Sequence, residues 1–168
     1  FMDTQIQQTF EQLKQTISVS TSPFHTAQEA LRQLSDAGFV ILDWDSTWEL
    51  VPVGKYAVCP FGTTVFGFQI GTDLSDTPVW KLSSSHIDNP GFRIKYNPVV
   101  SSKNGCRLNT EVYGGAIYST WLDRPLSIAG RIALKNPQSA HPRLKLVDFK
   151  RPVAVLPNLA IHLNRAMN

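Results

Sequence analysis

The sequence predicts a mixed α/β (α+β) chain. Two N-terminal helices and a sheet come first, followed by a β-rich, barrel-like module that ends in a short helix. Three observations predict this. Before Gly38, apolar residues recur at helical spacing. From Phe39 onward the apolar runs are short, β-rich and separated by Asp, Ser, Pro and Gly. The last eleven residues return to helical spacing. At 168 residues, with 42% hydrophobic and 17% charged side chains, the chain has an ordinary globular composition that disfavours disorder.

Ile6, Phe10, Leu13 and Ile17 make one helical stripe over residues 3–18. A Ser/Thr/Pro stretch, 19–24, breaks it. Thr26-Ala27-Gln28-Glu29 matches a capping box, with Ala27, Ala30, Leu31 and Leu34 forming the face of a second helix. Gly38 is its C-terminal stop. Strands are then expected at 39–42, 48–51, 56–59, 63–70 and 79–82. The punctuation between them is 43–47, 60–62 and 71–78. A second part starts near Pro90, with strands expected at 92–96, 108–113, 126–134, 144–149 and 153–156. Pro157-Asn158 opens a short helix whose face is Leu159, His162, Leu163 and Ala166.

The net charge is +3, and the basic residues are scattered rather than run together. Nucleic-acid binding is therefore not expected, because a phosphate footprint needs clustered cations. No apolar run approaches the ~20 residues of a membrane span, so no membrane partner is expected. The N-terminus carries no cationic and apolar leader, which points to a cytoplasmic protein. Cys59 and Cys106 read as reduced thiols, and no CxxC suggests a structural zinc.

The chemistry-bearing element is Ser85-His86-Ile87-Asp88-Asn89-Pro90, after the strand-like 79–82. Two positions apart on extended backbone, His86 and Asp88 lie on one side. That arrangement suits a metal-bound imidazole oriented by a carboxylate. A lone histidine near a strand end is more often a satisfied, half-buried core residue. No Glu-Glu pair, no His-x-x-x-His and no acidic residue after Asp148 completes a metal site. Gly114-Gly115 permits close backbone approach, and Asp123-Arg124 could close a turn by ion pairing.

The ordered pattern resembles the aspartyl aminopeptidases, di-zinc exopeptidases that remove acidic residues from peptide N-termini. It begins with Ser22-Pro23-Phe24-His25, Ala37-Gly38-Phe39, Trp48-Glu49-Leu50, Gly54-Lys55-Tyr56 and His86-x-Asp88-x-Pro90. It continues through Glu111-Val112-Tyr113-Gly114-Gly115, Ser119-Thr120-Trp121-x-Asp123-Arg124 and Leu126-Ser127-x-Ala129-Gly130-Arg131. Arg151-Pro152 and Pro157-Asn158-Leu159-Ala160-Ile161-His162-Leu163 close it.

The resemblance implies that residues 1–90 are the first segment of a zinc-peptidase domain. It implies that 91–168 belong to an inserted oligomerisation domain. His86 would be a zinc ligand and Asp88 the catalytic carboxylate that orients it. His162 would bind substrate in a neighbouring subunit's site, although its place between Leu159 and Leu163 also fits plain helix packing. The implied cofactor is zinc, two ions per complete site, with at most one ligand from this chain. The implied partners are peptides with N-terminal Asp or Glu, further copies of the chain and a missing C-terminal segment. The bridging aspartate, the Glu-Glu pair, another aspartate and a final histidine have no counterpart here, so the chain by itself is expected to be inactive. The competing reading is a non-catalytic assembly module. The chain also departs from the family pattern at Ile87 and Asn89 (usually Thr and Ser), Pro125 (usually Asp) and Val53 (usually Gly).

Overall fold

The computed structural model describes residues 4–72, 79–103 and 105–164. It contains two α-helices and three small sheets, a mixed α/β chain as expected. Contacts divide it into two compact units, Phe1–Asp88 with Ala129–Asp148, and Asn89–Ile128 with Phe149–Asn168. No helix among the described residues is long and apolar enough to cross a membrane.

In the first unit, helix α1 spans Thr4–Val19 and carries the expected stripe. Asp3, the expected first residue, lies outside the described residues. Helix α2 spans Pro23–Asp36, so it starts earlier than the capping-box reading placed it. Ser22 is the N-cap: its side chain accepts from the His25 amide, and Pro23 takes the first helical position, where no amide partner is needed. Glu29 lies inside α2, beyond the first turn that a capping box serves, and pairs there with Arg32 at 2.6 Å. Gly38, at φ 84°, turns the chain out of the helix.

Strands β1 (Val40–Leu42), β2 (Lys55–Val58) and β3 (Phe66–Gln69) form a sheet in that order, with β1 parallel and β3 antiparallel to β2. The central strand holds the core: Tyr56, Ala57 and Val58 are buried, as is Ala27 of α2. The expected strand at 48–51 is irregular instead. There Trp48 Nε1 donates to the Asp43 carbonyl and the Val51 amide donates to Tyr56 Oη, which satisfies the backbone by side-chain bonds rather than a ladder. The expected 63–70 strand shortens to β3. Most of the loop expected at 71–78 lies outside the described residues.

Val53 adopts φ 63° in the turn that leads into β2. A β-branched residue is strained there, and this is the position where the resemblance expects glycine.

Two later strands, β6 (Ala129–Leu134) and β7 (Arg143–Asp148), pair antiparallel and belong to the first unit. Thr21 Oγ1 donates to Asp148 Oδ2 at 3.1 Å, tying the segment before α2 to the end of β7.

The second unit is built on a hairpin of β4 (Gly91–Ser102) and β5 (Gly105–Tyr113). The expected strand at 92–96 extends through Asn97-Pro98 to Ser102. The register shifts between Ile94 and Val99, so the sheet absorbs Pro98, which has no ladder donor, as an irregularity. Phe92 packs edge-on against Trp121 at 5.3 Å, and Arg93 lies 3.5 Å over the Tyr113 ring. The expected strands at 126–134 and 153–156 contribute only the isolated bridges Leu126–Ala154 and Leu122–Leu156 outside β6. The expected terminal helix is a single 3-10 turn, Ile161–Leu163. Ala166, assigned to its face, lies outside the described residues.

Candidate functional site

His86 and Asp88 follow residues 79–82, which form no strand, contrary to the sequence reading. That segment runs without a ladder partner, and Val79 and Leu82 are 91% and 90% exposed. Sequence alternation reports strand propensity, but a strand also needs a neighbour to pair with.

The pair itself forms. His86 Nδ1 lies 2.9 Å from Asp88 Oδ1 and 2.9 Å from the Asp88 carbonyl oxygen. Two acceptors facing one ring nitrogen require that nitrogen to carry the proton. In the neutral ring the lone pair is then on Nε2. The histidine side chain is 76% exposed while the carboxylate is only 18% exposed, so the acceptor is held and the imidazole is presented outward. This is how a carboxylate prepares a histidine as a metal ligand.

The donor set fits one zinc ligand with its orienting carboxylate. It does not fit a closed zinc site, because the described residues contain no group of three or more His, Cys, Asp or Glu placed to share an ion.

His162 sits in the 3-10 turn with exposed neighbours Ile161 and Leu163. Asn158 organises this turn. Its amide donates to Asp123 Oδ1 at 2.9 Å, and its side-chain oxygen accepts from the Leu159 amide and from Asn164 Nδ2, each at 2.8 Å. Asp123 therefore does not pair with Arg124, as the sequence reading proposed. Arg124 donates instead to the Thr120 carbonyl. Asp123 is at φ 54°, and its amide donates to the Leu156 carbonyl at 2.8 Å, so the turn is fixed by backbone bonds. The lack of a donor at Pro125 is harmless there, because the next amide, Leu126, carries the bridge to Ala154.

In the sequence, Arg131 is one of the scattered basic residues and the last residue of the 126–131 motif. In the structure its guanidinium stacks 4.2 Å from the Phe24 ring and donates to the Phe61 carbonyl at 3.2 Å. A second side-chain pair, Ser22 Oγ and His25 Nδ1 at 2.7 Å, lies at the start of α2.

Comparison with known proteins places the chain. The profile described as aminopeptidase I zinc metalloprotease (M18) matches residues 16–168. The chain belongs to that family of zinc metalloproteases. The Clostridium acetobutylicum protein named "probable M18 family aminopeptidase 2" is 44% identical over 150 residues, which cover 89% of this chain and 35% of that protein. The Chaetomium thermophilum mApe1 structure superposes with a TM-score of 0.73 at 32% identity, covering 94% of this chain and 36% of that one. The Saccharomyces cerevisiae mApe1 dodecamer superposes with a TM-score of 0.75 at 24% identity, covering 90% of this chain and 36% of its own; at that identity it speaks for the fold alone. The chain spans about 35% of the length of the curated relatives it matches.

Proposed function

We propose that the chain is the N-terminal portion of an aspartyl-aminopeptidase-like exopeptidase that removes N-terminal Asp or Glu from peptides. The observation that carries this reading is the His86–Asp88 pair, with Nδ1 held at 2.9 Å and the ring turned outward. In it, His86 is one zinc ligand through Nε2, and Asp88 is the carboxylate that fixes the ring and raises its basicity. The complete site would hold two zinc ions, which supply Lewis-acid polarisation and an activated water when bound. The general base and remaining ligands would come from polypeptide beyond these residues, so the chain alone is proposed to be inactive. The absence of a three-donor group among the described residues supports that part of the reading.

In the same reading, residues 1–90 serve the peptidase domain and 91–168 a β-rich, barrel-like oligomerisation module. The β6–β7 hairpin is the exception to this order, since it joins the first unit. His162, on its exposed turn, would bind substrate in a neighbouring subunit of a cytoplasmic homo-oligomer. The alternative, a non-catalytic assembly module, draws on the same incomplete donor set.

A chimera tests the reading. Residues 16–168 would replace the matching segment of the Clostridium acetobutylicum relative, and release of Asp, Glu and Leu from chromogenic amides would be followed. Acidic residues should be released fastest, and His86→Ala should lower the rate at least about 10²-fold. Preferential release of Leu would reject the acidic specificity, and an active His86→Ala chimera would reject the ligand.

A further inference from the structure

Charge is divided unevenly within the first unit. Residues 1–88 carry ten Asp and Glu against four Lys and Arg, whereas residues 129–148 carry four Lys and Arg against one Asp. From Arg124 to Val147 there is no carboxylate. The β6–β7 hairpin is therefore a basic element held in an otherwise acidic unit.

Strand alternation separates what holds the hairpin from what it displays. Arg131 and Asp148 share one face, because Asp148 pairs with Ala129, two residues before Arg131. This face is anchored: Arg131 meets Phe24 and the Phe61 carbonyl, and Asp148 accepts from Thr21. Arg143 and Lys145 lie on the opposite face, paired with Leu134 and Ile132. Both are exposed, and neither makes an ion pair or side-chain hydrogen bond among the described residues. Their spacing along the strand is about 6.7 Å, which is also that of alternate side chains in an extended peptide.

The turn between the strands adds donors. It borders an open concavity of about 500 Å³ lined in part by Lys135, Asn136 and Ser139. Asn136 Oδ1 already accepts from the Gln138 amide, and Ser139 Oγ from the His141 amide. What these side chains still have to offer a ligand is an amide N–H₂ and a hydroxyl proton, beside the Lys135 ammonium.

Chemistry selects the partner. Cations without counter-ions, next to neutral donors, suit carboxylates, and Arg143 can hold one by two parallel bonds. A nucleic acid asks for more. Strong phosphate binding uses about six to ten contacts, and single strands stack on aromatic side chains. Residues 129–148 contain no Phe, Tyr or Trp.

We propose that Lys135, Arg143 and Lys145 make the outer face and tip of the β6–β7 hairpin a binding surface for an extended acidic peptide segment. In one respect this rests on the acidic-peptide reading above: the segment would be the continuation of a substrate beyond its N-terminal Asp or Glu.

The test is fluorescence anisotropy of the 168-residue chain with an N-acetylated, labelled peptide of eight glutamates. Acetylation leaves no free N-terminus, so binding is read apart from cleavage. The expected result is binding that weakens as salt rises and is absent for the eight-glutamine peptide. The double variant Arg143→Gln/Lys145→Gln should weaken it about tenfold, with the melting temperature unchanged because both side chains are exposed. Lys14→Gln/Lys81→Gln removes the same net charge elsewhere in the unit and should leave binding as it was. No binding, binding that survives Arg143→Gln/Lys145→Gln, or equal loss in both double variants would overturn the proposal. So would tighter binding of an eight-nucleotide oligothymidylate at the same residues, which would make the hairpin a nucleic-acid surface. The chimera assay above fails separately. A chain that binds the acetylated peptide while its chimera prefers Leu keeps the surface and loses the acidic specificity. A chimera that releases Asp and Glu while the chain ignores the peptide does the reverse.

Discussion

Arg131 stacks on Phe24: the guanidinium carbon lies 4.2 Å from the ring centre. The same guanidinium donates to the Phe61 carbonyl at 3.2 Å, so one side chain on β6 ties the first turn of α2 to the 60–62 loop. Gly62, at φ 79°, makes room for it, since a Cβ there would lie 2.8 Å from Arg131 Nη1. Arg131→Ala removes an exposed cation–π contact of about 0.5–1 kcal/mol and a hydrogen bond of about 1 kcal/mol. The expected loss is about 1–2 kcal/mol in urea unfolding. Arg131→Lys should recover little of it, because an ammonium cannot stack and donate with the same planar fork.

Val53 carries a left-handed backbone that costs a β-branched residue roughly 1–2 kcal/mol. Val53→Gly should therefore stabilise the chain by roughly 0.5–1 kcal/mol, the relief of strain less the entropy of a glycine in the unfolded state. Its side chain is more than half exposed, so little burial is lost. Val53→Ala is the control and should gain little. Equal gains from both would show that the backbone strain is not the cause.

Glu29 gives the chain a titration signature. The hydrogen bond from Arg32, then that from Gln33, lowers its carboxyl from the ordinary 4.5 to about 2. Arg32 is shifted upward by the same contact, which Asp36 reinforces. A depressed carboxyl pKa stabilises the fold above the unfolded value, and the contribution is lost as pH falls through the folded value. The stability gap between the parent chain and Glu29→Gln should thus be full above about pH 5 and shrink progressively toward pH 2. Urea midpoints at pH 7, 4 and 3 would measure it. A gap that stays constant across that window would show that the ion pair contributes nothing, as many exposed pairs do.

The periodic elements were legible in the sequence. The α1 stripe and the second helix can be read because helical order depends on residues three and four positions apart. The second helix starts before its capping-box pattern, because Ser22-Pro23 supplies an N-cap and a first helical position of its own. The 79–82 segment has strand composition but forms no strand, because a strand is defined by a partner distant in sequence. The same limit hid the Asp123–Asn158 bond, which joins residues 35 apart, and the Arg131–Phe61 bond, which joins residues 70 apart. The His86–Asp88 pair was legible for the opposite reason, as its geometry is set within two residues of extended backbone.

The central claim is that these residues hold one prepared ligand of a zinc aminopeptidase site and not a working site. It is tested most directly by incubating the pure 168-residue chain with zinc and a peptide bearing N-terminal Asp, and measuring release of the free amino acid. The account predicts no release above the zinc-only blank, and no difference between the parent chain and His86→Ala. Zinc-dependent release of Asp that disappears in His86→Ala would contradict it, since the chain would then contain a base and ligands that its donor set does not show.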